Sequence, residues 1–143
     1  MFKRFFSSSS LWFNQGLLLI RIVFALLLVY HGYEVFDAEK MKEYATWDTF
    51  KNSSDPLLRV YAGKGSEFIT GILLTFGLVT RITCVWIAVT MSYITFFIGS
   101  GKFWYEDQHP FMFVLLALLF FITGAGKWSL DYFLFDKNKR KFY

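Results

Sequence analysis

The chain has 143 residues, of which 55% are hydrophobic and 22% aromatic, with 19 Phe, 8 Tyr and 5 Trp, and its 15 Lys+Arg against 11 Asp+Glu leave a formal charge of +4. Charged residues are only 18% of the chain, against about 25% in a typical soluble domain. So few polar groups could not cover so much apolar side chain, which argues against a soluble globular domain, a disordered chain and a collagen-like repeat.

The first element is an apolar run from Leu11 to Tyr33 that contains one charge, Arg21. Lys3, Arg4 and four serines precede it, as in a secretory signal, but the run is too long, holds an arginine and ends in Val29-Tyr30-His31-Gly32-Tyr33 without a small-residue cleavage site. It is read as a retained membrane helix over about 14–35. His31 lies near its far end.

The only sizeable polar stretch follows, Asp37 to Ser54. Met41, Tyr44, Trp47 and Phe50 recur in it at helical spacing, which predicts a short amphipathic segment capping the first loop. The next apolar run, Phe68–Thr80, is too short to cross about 30 Å of hydrocarbon alone. A span over 61–80 therefore places Lys64 and Glu67 at or inside the boundary. A buried ionisable group is expensive without a partner. At 1.5 Å per residue, Arg21 and Glu67 on antiparallel helices differ in depth by roughly 11 Å, which a long arginine stem largely covers, so an Arg21–Glu67 pair is expected.

Arg81 marks a tight turn into the third span, 82–100, which holds the one cysteine, Cys84. One thiol forms no internal disulfide and no Cys-x-x-Cys pair, so Cys84 is read as a buried apolar residue. The third loop carries Trp104, Tyr105, Glu106, Asp107, Gln108 and His109 before a fourth span over 109–126. His31 and His109 fall at the same end of the bundle, where neutral imidazoles relay protons or donate to a carbonyl. Haem ligation, or a metal site formed by them with Glu34, Glu67 and Glu106, is disfavoured. Glu106-x-x-His109 occurs once, Pro110 opposes helical geometry at His109, and the third helix offers no acid. No metal is predicted.

The chain then reads Gly124-Ala125-Gly126-Lys127-Trp128-Ser129-Leu130-Asp131. The glycines end the helix, Ser129 is placed to cap an interfacial segment over 128–136, and Asp131 falls on the side of Arg81 as a clamp on that turn. The side bearing both termini collects eight basic residues, from Lys3 to Lys141, against six in the opposite loops. Both termini are thus expected in the cytoplasm, with the cap and third loop extracytoplasmic. The fold class is all-α, an integral membrane four-helix bundle in a single domain, 1–143.

With its Gly-x-Gly-x-x-Ser-Leu-Asp ending, Arg21, His31-Gly32, Glu67 followed by Gly71, and Gly77-Leu78-Val79-Thr80-Arg81, the sequence resembles the DoxX family of small bacterial membrane proteins from about Leu17 to Asp131. The resemblance implies a four-helix bundle in the bacterial inner membrane and a role in respiratory or redox metabolism. The function expected is a membrane subunit of a quinone-linked oxidoreductase system that binds a quinone-like apolar ligand or docks a redox partner. Arg21, His31, Glu67, Glu106 and His109 are the candidate ligand residues, and Gly124, Gly126, Ser129, Asp131 and Arg81 the structural motif. No intrinsic cofactor is legible, so electron chemistry would come from a bound quinone or another subunit. The alternative is a non-enzymatic assembly or envelope module acting through its extracytoplasmic loops; a transporter is a weaker third option, since four spans are few. The bilayer, a redox partner and a second copy meeting at Ala88 and Ser92 are the partners considered. Nucleic acid is not among them, because a basic tail from Lys137 to Lys141 suits an anionic lipid surface.

Overall fold

The computed structural model describes residues 12–136, and among these the regular structure is helical. Helix α1, Phe13–Gly32, runs on through a 3-10 turn at Tyr33–Phe36. Asp37 then accepts from the amides of Glu39 and Lys40 at 3.1 and 3.2 Å, an N-cap that starts α2, Ala38–Ala45. The single turn α3, Asp48–Lys51, completes the cap. Met41 and Phe50 are buried there with Val60, Tyr44 is half-buried, and Trp47 stays exposed. The amphipathic spacing of this loop is therefore met by two short helices folded onto the start of the next one.

That helix, α4, runs Pro56–Phe76. It begins five residues before the expected Tyr61, because Pro56 occupies the first turn, where its missing N–H costs nothing. It stops before residue 80 at Gly77, whose φ of 62° closes a complete Schellman cap: Gly77 N–H donates to Leu74 O and Leu78 N–H to Leu73 O, both at 3.0 Å. Helix α5, Thr80–Tyr93, continues as a π-helical turn, Ile94–Ile98. Helix α6, Gln108–Thr123, starts ahead of Pro110. The expectation that Pro110 keeps His109 out of a helix is corrected here, since a proline in the first turn forfeits no internal hydrogen bond. A π-helical segment, Tyr132–Asp136, ends the described chain.

The four long helices pack chiefly as α1 on α4 and α5 on α6, joined by α4 against α5. Phe24, Leu28, Leu74, Ile87, Phe113 and Phe120 form the shared core. The α1–α4 contact is close because glycines face it. A Cβ on Gly32 would lie 2.2 Å from Phe68 N, and one on Gly71 2.8 Å from Val29. Large apolar side chains such as Leu19, Ile69, Ile82, Val89, Leu115 and Ile122 point outward. Phe13–Phe36 and Thr80–Ile98 are long and apolar enough to cross a membrane by length and composition, while α6 is apolar but shorter.

Candidate functional site

Lys64, on the face of α4 beneath the cap, is the centre of a half-buried polar network. Its ammonium lies 2.9 Å from Glu34 and 3.3 Å from Glu67, and it donates to the carbonyl of His31 at 3.3 Å. Glu34 also takes Lys40 Nζ and the Tyr44 hydroxyl, each at 3.1 Å. Burial, then the bond to Glu34, raises the Tyr44 phenol above its usual range, so it remains a donor at neutral pH. Two carboxylates and two ammonium groups thus balance within one cluster.

Glu67 does not pair with Arg21. The expectation failed on direction: Lys64 lies one turn away on the same helix and takes Glu67, whereas the Arg21 stem runs toward the other end of the molecule. There the guanidinium donates to Ala125 O at 2.5 Å and Trp128 O at 2.6 Å. Arg21 is 2% exposed, and it ties α1 to the segment after α6. Asp131 belongs to this end too, with its carboxylate accepting from the amides of Val79 at 2.6 Å and Thr80 at 2.7 Å. Its contact with the turn before α5 runs through backbone amides and not through the Arg81 guanidinium. Ser129 Oγ donates to Gly126 O at 2.7 Å and accepts from Tyr132 N–H at 3.2 Å, while Gly124 and Gly126 have φ of 73° and 77°.

His31 and His109 meet edge to face, with ring centroids 4.8 Å apart, and Phe113 packs on both. Glu106 stands apart in an exposed turn. It binds Ser100 Oγ at 2.7 Å and Lys102 Nζ at 2.9 Å, and these bonds, Ser100 first, hold its carboxyl below the usual range. Of the five candidate ligand residues, His31, His109 and Glu67 therefore share the cap end, Glu106 is confined to its own loop, and Arg21 is at the opposite end.

A cavity of about 810 Å³ opens between α4, α5 and the cap. Trp86, Val89, Tyr93, Ile94 and Trp47 give it aromatic and aliphatic walls, and Arg59, Lys64, Glu67, Ser66 and Thr90 are on its polar side. The Ser66 and Thr90 hydroxyls lie 3.2 Å apart, so one proton bridges the pair and the other is available. Sequence reasoning did not select Ser66, Thr90 or Trp86. The available signal was a hydroxyl on each of two apolar helices, a pattern that alone reads equally as helix packing.

The sequence matches the DoxX family model over residues 16–100 and the family model described as TQO small subunit DoxD over residues 64–142. A Bacillus subtilis protein named as a candidate oxidoreductase, CatD, is 29% identical over 134 residues, covering 89% of this chain and 92% of that one. An uncharacterized Haemophilus influenzae protein is 33% identical over 127 residues, covering 82% of this chain and 90% of its own length. No solved structure matches the chain significantly.

Proposed function

The chain belongs to the DoxX family, and from that premise we propose that it is a membrane subunit of an oxidoreductase system whose cap-end cavity holds a quinone-like ring. The observation behind this reading is the cavity itself. Its 810 Å³ lies within the roughly 300–1,000 Å³ of small-molecule sites, and its apolar walls with a few convergent polar groups match their chemistry. Trp86 and Tyr93 suit a flat ring, while the Ser66–Thr90 pair offers a donor to a carbonyl oxygen. A bound quinone supplies the electron couple; the chain positions the ring, excludes water, and keeps Glu67 at hand as an acceptor. The reading includes four membrane spans closed as a bundle, both termini cytoplasmic, and the cap facing out of the bacterial inner membrane.

Glu67→Gln is the informative variant, because Lys64 keeps Glu34 as its countercharge and the fold should survive. Purified protein in mild detergent is titrated with a short-chain quinone and followed by thermal unfolding, alongside extraction of co-purifying quinone. The expected result is saturable stabilisation of the wild type, about tenfold weaker in Glu67→Gln, equivalent to about 1.4 kcal/mol. A wild type that neither retains nor responds to quinones would overturn the reading.

One observation favours docking as a second role. Asp107 accepts from Ser100 N–H, Ser100 Oγ and Lys102 N–H between 2.8 and 3.1 Å, which fixes a loop that presents Trp104 and Tyr105, 64% and 75% exposed. Preorganised aromatic side chains of this kind anchor protein partners. In the assembly-module alternative this loop would act without any quinone.

A further inference from the structure

At the opposite end of the molecule, independent of the quinone reading, a second cavity of about 710 Å³ lies between the start of α1, the first turn of α5, the end of α6 and the C-terminal segment. We infer that it seats the phosphate of an anionic phospholipid headgroup. Arg81 and Lys127 line it, both exposed, and neither forms an ion pair among the described residues. Arg81 and Ile82 are also in the first turn of α5, where backbone N–H groups have no partner within the helix. Thr80, on the same wall and 1% exposed, buries a hydroxyl that meets no partner among the described residues. Such a group is costly unless something outside the chain satisfies it.

Asp131 and Asp136 also line the cavity, so its lining carries two charges of each sign. Both Asp131 oxygens, however, accept from the amides of Val79 and Thr80, Asp136 has a partner of its own, and neither is drawn into an ion pair with Arg81 or Lys127. Behind the wall, Arg21 is a buried cation bonded only to carbonyl oxygens, and its Nε has no acceptor among the described residues. In sequence, the stretches before Trp12 and after Asp136 carry Lys3, Arg4, Lys137, Lys139, Arg140 and Lys141 and no acidic side chain. Phe13, Ile82 and Phe135 give the lining an apolar side, placed to follow an acyl chain away from the headgroup. A soluble phosphate would use the cations and the hydroxyl but not this wall.

The test is native mass spectrometry of the detergent-purified full chain with equimolar phosphatidylglycerol and phosphatidylcholine, repeated with glycerol phosphate as a soluble competitor. Phosphatidylglycerol should be retained at least fivefold over phosphatidylcholine. Retention should fall at least fivefold in Arg81→Gln/Lys127→Gln, whose side chains are exposed and dispensable for folding, and in the near-isosteric Thr80→Val. A variant with Lys137, Lys139, Arg140 and Lys141 changed to Gln should keep most of it. Equal retention of the two lipids, retention unchanged in the double variant, or loss only in the tail variant would overturn the inference. Displacement by millimolar glycerol phosphate would reassign the cavity to a soluble phosphate and also overturn it.

Discussion

Lys64 touches two carboxylates at once, and Glu67 is the more deeply buried of them, with 6% of its side chain exposed against 25% for Glu34. Removing Lys64 strands Glu67, and breaking a buried pair from one side costs about 3–5 kcal/mol. Lys64→Met should therefore unfold well below wild type in detergent, while Lys64→Met/Glu67→Leu regains most of the loss; additive losses in this cycle would contradict a coupled pair. Asp131 makes a different kind of contact, holding the amides of Val79 and Thr80 while Val79 sits at φ 45°, an unusual conformation for a β-branched residue. Asp131→Ala should cost about 1–2 kcal/mol, as loss of a helix cap does, and leave ligand binding at the cap end intact. Equal stability with lost binding would reverse that assignment. Glu106 gives the loop a pH dependence. Its folded-state pKa is lowered, so its contribution is complete above the ordinary carboxylate range and is lost as pH falls through the depressed value. The Lys102 ammonium should be released only as pH falls through that depressed value, seen as a shift of its Nζ resonance, and Glu106→Gln should abolish the step.

Between helices, the closest approach decides which glycines are replaceable. A Cβ at Gly71 would press on Val29 and Ala25, while one at Gly65 meets nothing within 4 Å. Gly71→Ala should destabilise by about 1–3 kcal/mol, whereas Gly65→Ala should stabilise by about 0.5–1 kcal/mol through helix propensity; thermal unfolding of the two variants checks the contrast. Gly32 and Gly71 were legible as small residues in the motifs that also hold Arg21 and Glu67. The partners of those two charges were not. Depth along parallel axes can be counted at 1.5 Å per residue, but whether a long side chain turns up or down its helix depends on which acceptors fold back toward it. For Arg21 these are Ala125 and Trp128, more than a hundred residues away.

On the scale of the whole molecule, the cap-end and terminus-end cavities lie at opposite ends, and their facing compartments are testable. In a Cys84→Ala background, Tyr105→Cys should react with a membrane-impermeant thiol reagent on intact cells and Asn138→Cys only after permeabilisation. The reverse pattern would invert the proposed topology. The all-helical class, the family and the apolar outward faces followed from the sequence alone, because composition, charge gaps and local motifs act over a few residues or over the chain average. The local part of the C-terminal motif was also legible, since Gly124, Gly126 and Ser129 do their work through backbone geometry and a short-range hydrogen bond, whereas Asp131 reaches Val79 and Thr80 across the fold. Tertiary structure alone decided that Glu67 belongs to Lys64, that Ser66 meets Thr90 across two helices, and that Arg21 serves the terminus end. Each of those pairings depends on helix rotation and side-chain direction, quantities that packing fixes and spacing along the chain does not encode.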